Sequence, residues 1–168
     1  MSSRNLERSH IMSFEELEKR VKRMEDIEEI KQLQARYINA LITTQWDELL
    51  DCFVKDGVVD LMAGLARGKE AFTKLFKEKI AISHIGKEGC YVVHPIITVD
   101  RDKAKASWLL YTMFSQPHKI MRVPPESGET DAPDWIHGYY EMEYKRENGK
   151  WKISLLKWRS RLRSPRQE

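Results

Sequence analysis

The chain has 168 residues, enough for one domain with a single sizeable hydrophobic core. Apolar residues make up 41% and charged residues 33%, a composition that excludes a disordered chain. The net charge is +3, but five basic residues and one acid lie in residues 157–168, so the rest is close to neutral and nucleic-acid binding is not expected.

The chain opens with a polar segment that has no apolar pattern, residues 1–11. We treat it as a leader or tag-like tail, place one domain at residues 12–163 and regard residues 164–168 as a second tail. Helical spacing follows over residues 14–44, in two parts. In the first part the apolar stripe is Leu17, Val21 and Met24. Its flanks are highly charged, so we expect this part to pack on a partner subunit.

The second part of the helix carries a longer apolar stripe, and Asp26 is a plausible N-cap between the two parts. The stripe consists of Ile27, Ile30, Leu33, Tyr37 and Leu41. Further along, the pattern predicts a helix at 46–54, a strand at 57–62 and a third helix at 69–82.

From residue 87 the apolar period changes from that of a helix to that of a strand. Strands are predicted at about 89–99, 103–115, 134–147 and 150–162, with a hairpin turn at Asn148-Gly149. Residues 116–133 are polar, rich in proline and long for a connection, which is typical of a functional lid. Helices followed by an antiparallel meander indicate the α+β class.

Several sequence signals argue against a bound cofactor, a metal or a membrane. GLARGKE (64–70) is one residue too short for a phosphate loop, and a strand-to-helix turn explains it better. The histidines show no metal-ligand spacing, and no nucleotide fingerprint occurs. Cys52 and Cys90 form no CxxC motif, and no apolar run approaches the roughly 20 residues of a membrane span. We therefore expect a cytoplasmic protein without a cofactor.

Five segments carry a family resemblance: DIEEIKQLQARYINAL (26–41), WDELLDCF (46–53), GKEAF (68–72), HPIITVDRDKAKASWLL (94–110) and GYYEMEYKRENGKWKI (138–153). Across residues 14–160 the chain resembles the SnoaL-like branch of the nuclear transport factor 2-like superfamily, and within it bile-acid 7α-dehydratase-like proteins. The resemblance implies a cone-shaped, cystatin-like α+β fold, in which three helices cover a curved antiparallel sheet around an apolar cavity. Such relatives act without cofactors on steroid-, polyketide- or terpenoid-sized molecules, with a His–Asp pair as general base.

Carried over position by position, the resemblance assigns the oxygen-polarising tyrosine of the first helix to Tyr37. The family's catalytic aspartate falls at Ile42, its histidine near Cys90 and a second acid near Thr112. If Cys90 and Thr112 face the cavity, His94 lies on the same face of its strand. We therefore assign Tyr37 and His94 as catalytic. By the same alignment, the ligand-binding residues are Cys90, Trp108, Leu110, Thr112, Tyr140, Leu156 and Trp158.

Each of these residues also has a purely structural interpretation. A histidine in an apolar strand, such as His94, is more often a satisfied imidazole than a catalyst, and it lacks an acid partner at position 42. Tyr37 fits the core stripe of an amphipathic helix. Cys90 has no basic neighbour in the sequence, so we expect an inert small hydrophobe.

Two classes of function fit these residues. The first is a cofactor-independent lyase or isomerase, resembling a dehydratase, that acts on a hydrophobic polycyclic, terpenoid- or steroid-like molecule. The second is a ligand-binding or accessory protein of the same fold that has lost the His–Asp pair, as Ile42 suggests. Both faces of the strand at 103–115 are apolar, so we expect some subunit contact. The family resemblance implies that the homo-oligomer is a trimer or a dimer.

Overall fold

The computed structural model describes residues 12–84, 86, 88–114 and 135–164. Its helices are α1 (Phe14–Ile42), α2 (Trp46–Asp51), α3 (Lys69–Lys74), a π-helical stretch (Leu75–Ile80) and α4 (Ala81–Ser83). Its strands are β1 (Phe53–Leu61), β2 (Gly64–Arg67), β3 (Gly89–Asp100), β4 (Lys103–Met113), β5 (Trp135–Glu147) and β6 (Lys150–Arg163). The predicted α+β class is confirmed. The predicted lid at 116–133 and the leader at 1–11 lie outside the described residues.

The strands form one sheet in the order β2-β1-β6-β5-β4-β3. It is mixed rather than purely antiparallel, because β1 pairs with β6 in parallel. The prediction for GLARGKE was also incomplete: its first four residues form β2, which pairs antiparallel with β1. Only from Gly68 onward does the segment turn into α3, with Gly68 at a φ of 80°.

Helix α1 is continuous, so the predicted helix boundary at Asp26 is wrong. The Asp26 side chain is buried and accepts hydrogen bonds from Arg146 and from Trp151 Nε1, the latter at 3.3 Å. Because this carboxylate has tertiary partners, it does not cap a helix. The helix begins instead at Ser13, whose hydroxyl accepts the backbone N–H of Glu16 at 3.1 Å.

The core lies between one side of α1 and the inner face of the sheet. On β4 every second side chain is buried, and the antiparallel pairing with β5 places Trp108 opposite Tyr140. Helix α1 contributes the buried side chains of Ile30, Leu33, Gln34, Tyr37, Ile38 and Leu41.

Candidate functional site

The centre of the interior is a cluster of aromatic rings around Tyr37. This side chain is buried, and its ring lies edge-on to Phe53 and Tyr140, with centroids 5.8 and 6.2 Å away. Trp158 packs edge-on against Tyr140, with ring centroids 5.6 Å apart. These rings pack against one another within the hydrophobic core.

The hydroxyl groups of Tyr37 and Tyr140 are hydrogen-bonded to each other. Burial is the main cause that raises the pKa of both phenols far above the ordinary value, so both are protonated at neutral pH. The bond further raises the pKa of Tyr37 and lowers that of Tyr140. The phenol that accepts this bond keeps its own hydrogen for a further partner.

Cys90 and Thr112 meet on neighbouring strands beside the two tyrosines. Both side chains are buried, and Cys90 Sγ lies 3.5 Å from Thr112 Oγ1. Burial raises the pKa of the Cys90 thiol to about 11, so the sulfur carries its proton at neutral pH. A protonated thiol is a poor nucleophile.

The prediction that His94 faces the interior is wrong. A β-bulge interrupts the pairing of β3 with β4: Val93 pairs with Leu109, whereas Ile96 pairs with Ser107. The extra residue reverses the alternation of side chains, and His94, with a φ of 52°, is exposed. The sequence held a signal for this bulge, because Pro95 cannot donate to a strand ladder.

A histidine and an acid that sequence reasoning missed lie at the start of β3. His84 is half-buried, and its ring lies edge-on to Phe114 with centroids 6.2 Å apart. Glu88 is buried and accepts the backbone N–H of Gly86 at 3.0 Å. The H-x-x-x-E spacing was visible, but in a loop such spacing does not determine whether two side chains meet.

The charges of these two residues interact. Burial lowers the pKa of His84, and the Glu88 carboxylate raises it in part. The net effect is a lowered pKa, so the imidazole is neutral at pH 7 and can accept a proton. The Glu88 carboxylate also raises the pKa of Cys90. Cys90 in turn raises the pKa of both Tyr37 and Tyr140. Glu88 lies two residues before Cys90, which belongs to the same buried cluster as Tyr37 and Tyr140.

A second polar chain crosses the interior further along the sheet. Trp108 Nε1 donates to the Tyr144 hydroxyl at 3.0 Å, and this hydroxyl donates to Gln34 Oε1 at 3.2 Å. An indole can only donate, so Tyr144 must accept from it and pass its own hydrogen to Gln34. Gln34 Nε2 is buried and has no partner among the described residues.

The other residues predicted to bind a ligand are on the interior side of the sheet, as the alignment predicted. Leu110 and Leu156 are buried, and Trp158 is half-buried against the core. Ile42, at the position of the family aspartate, is half-buried at the end of α1. Whether these residues contact a ligand stays a prediction.

Neither a metal cluster nor a membrane helix is found in the part of the chain that the structure describes. No three His, Cys, Asp or Glu side chains there could hold a metal ion. No helix there is long and apolar enough to cross a membrane.

Comparisons with known proteins agree with this architecture. A family model described as a SnoaL-like domain matches residues 22–157, whereas a search of curated proteins finds no significant match. A cystatin-like protein of unknown function from Nostoc punctiforme is similar in structure, with a TM-score of 0.64, 20% identity, and coverage of 81% of this chain and 91% of that one. These similarities establish the cystatin-like fold.

Several similar structures have names that mention a reaction, among them a dehydratase, a dehydrochlorinase and a candidate hydroxylase. A candidate scytalone dehydratase from Novosphingobium aromaticivorans has a TM-score of 0.67 and 18% identity, covering 87% of this chain and 91% of its own. A hexachlorocyclohexane dehydrochlorinase from Novosphingobium barchaimii has a TM-score of 0.68 and 18% identity, covering 86% and 92%. At this level of identity the likeness concerns the fold.

Proposed function

Because the chain belongs to the SnoaL-like domain family, we propose that it is a cofactor-independent lyase or isomerase of the dehydratase type. Its substrate would be a hydrophobic polycyclic, steroid- or terpenoid-like alcohol or ketone. The observation that carries the proposal is the hydrogen-bonded Tyr37–Tyr140 pair in an aromatic interior, with the neutral His84 close to a buried acid.

The tyrosine pair supplies the group that polarises a substrate oxygen. Because one phenol of the pair accepts the hydrogen of the other, the accepting phenol, which we assign as Tyr140, can point its own hydrogen to a ligand oxygen. The raised pKa values keep both phenols in the donor form. A preorganised donor in a water-poor interior stabilises negative charge that develops on oxygen.

His84 supplies the base in place of His94. Gly86, whose N–H binds Glu88, packs beside the end of α1: a Cβ on Gly86 would lie 3.8 Å from the carbonyl oxygen of Ile42. We infer that Glu88 takes the part of the aspartate that the family resemblance assigns to position 42. In a dehydration, the His84 imidazole takes a proton from carbon, the C–H electron pair forms the C=C bond, and the neighbouring C–O bond breaks with Tyr140 donating a hydrogen bond to the departing oxygen. The proton held by His84 then passes to the hydroxide, so that water leaves and the imidazole is neutral again.

The alternative, ligand binding without turnover, is favoured by a different observation. The positions of the family's acid, histidine and second acid hold Ile42, Cys90 and Thr112. Cys90 and Thr112 satisfy each other, and the thiol is protonated. Such an interior could hold an apolar ligand without attacking it.

The experiment compares variants on a panel of hydroxysteroids and related cyclic alcohols, with turnover and binding measured separately. We expect His84→Gln and Tyr140→Phe each to lower kcat/KM by roughly 100-fold or more, with ligand still bound. His94→Gln is the matched control and should change kcat/KM by less than about twofold. Loss of turnover in the control alone would overturn the assignment of the base. Ligand binding without turnover anywhere in the panel would establish the alternative.

A further inference from the structure

The N-terminal part of α1 extends beyond the core. From Phe14 to Glu25 every residue is exposed, and the first buried residue is Asp26. At about 1.5 Å per residue, this segment projects roughly 18 Å. Most helical stability in proteins comes from packing of an apolar face, and this segment packs none of its side chains in the core. We therefore expect another polypeptide to cover it.

The projecting segment carries an apolar stripe, which we call the α1 stripe: Phe14, Leu17, Val21 and Met24. These side chains are 80%, 44%, 46% and 70% exposed. Their spacing of three, four and three residues is that of the a and d positions of a coiled coil. Phe14, Leu17 and Val21 also line a groove of about 890 Å³, which Val99 borders from the sheet side. Such a stripe is typical of a helix that packs against another helix.

We propose that the α1 stripe binds the same stripe of a second copy of this chain, with the two helices parallel and in register. The proposal is independent of the catalytic assignment. Val21 at an a position with Leu17 at a d position favours two strands. The second copy is then the partner subunit that the sequence predicts for this segment.

The charges beside the stripe select the parallel orientation. With Phe14 at an a position, Arg20 occupies a g position and Glu25 the e position that follows it. In a parallel pair, g of one helix lies next to that e of the other, so Arg20 meets Glu25 of the second copy twice across the two-fold axis. An antiparallel pair centred on the stripe would instead bring Arg20 next to Arg20 and Glu18 next to Glu18.

The first test is disulfide cross-linking of the full-length chain. The native Cys52 and Cys90 are buried and should not react. In a parallel pair, Leu17→Cys places two thiols opposite each other, and we expect most of the protein to become a disulfide-linked dimer under mild oxidation. Arg23→Cys, on the other side of the helix, should stay monomeric on a denaturing gel. Equal cross-linking of the two variants, or none of Leu17→Cys, would overturn the proposal.

The second test is analytical ultracentrifugation of charge variants. Arg20→Glu and Glu25→Arg should each weaken association by roughly tenfold, because each replaces two attractive contacts with repulsive ones. The double variant should restore the wild-type dissociation constant. Circular dichroism serves as the folding control, since these side chains lie outside the core. Single variants that associate like wild type, or a wild-type chain that is monomeric throughout, would contradict the parallel pair.

Discussion

The Asp26 carboxylate on α1 pairs with the Arg146 guanidinium at the end of β5. Neither group is open to solvent: the side chains are 9% and 15% exposed. The guanidinium also lies over the Trp151 ring, 4.7 Å from its centroid, and Trp151 Nε1 donates to the same carboxylate at 3.3 Å. One carboxylate thus joins the long helix to both strands of the β5–β6 hairpin.

Asp26→Asn should therefore destabilise the fold. The amide removes the negative charge and leaves Arg146 nearly buried without its main counter-charge, which should cost roughly 2–4 kcal/mol of the free energy of unfolding. Urea denaturation measures the loss. Asp56→Asn is the control, because Asp56 pairs with Lys145 at 2.7 Å but is exposed, and its effect should be much smaller. Equal losses in the two variants would show that the Asp26 pair contributes no more than a surface ion pair.

Asp26 also shows that local sequence patterns do not predict the tertiary partners of a side chain. An aspartate between two apolar stripes is a reasonable N-cap, yet its partners Arg146 and Trp151 lie more than a hundred residues away. The parallel pairing of β1 with β6 is equally non-local. The α+β class could be predicted because it depends on the change of period near residue 87, whereas the pairing partners depend on tertiary contacts.

Tyr144→Phe tests the buried polar chain of Trp108, Tyr144 and Gln34. Without the hydroxyl, the indole N–H loses its acceptor and Gln34 Oε1 loses its donor, both inside the core. We expect a loss of roughly 1–3 kcal/mol in unfolding free energy and a shift of tryptophan emission. Tyr139→Phe, on the other face of β5, is the matched control. A loss no larger than in that control would mean that the chain does not stabilise the interior.

Gly138→Ala tests the close approach of β5 to β6. A Cβ at residue 138 would lie 2.1 Å from the carbonyl oxygen of Arg159 and 2.6 Å from Trp158 Cη2. Because one of these atoms is backbone, the strands must separate, and we expect a loss of roughly 2–4 kcal/mol. Gly57→Ala should cost less, since its Cβ would lie 3.2 Å from the Val54 carbonyl oxygen. Equal melting temperatures of wild type and Gly138→Ala would contradict this tight packing.

The candidate site was predicted in part, for a physical reason. Tyr37 and Tyr140 lie on regular elements, where spacing decides which side faces the core, and both are buried as expected. His94 was placed by the same rule, but a single inserted residue at Pro95 reversed the alternation. His84 and Glu88 lie outside regular strands, where no period relates one side chain to another.

The lowered pKa of His84 predicts how stability depends on pH. The folded state holds this imidazole neutral because burial opposes its charged form. In the unfolded chain, histidine titrates at about 6.5, so below that pH the unfolded state binds the proton more readily and is favoured. The contribution of His84 to stability is thus intact above about pH 6.5 and is lost as the pH falls towards the folded-state pKa.

Urea denaturation of wild type and His84→Gln between pH 7.5 and pH 5 measures this contribution. Wild type should lose more stability over the acid range than His84→Gln, which has no imidazole to protonate on unfolding. His94→Gln is the matched control because His94 is exposed, and its profile should follow that of wild type. Parallel profiles for wild type and His84→Gln would show that the imidazole titrates alike in both states, which would contradict its lowered pKa in the folded chain.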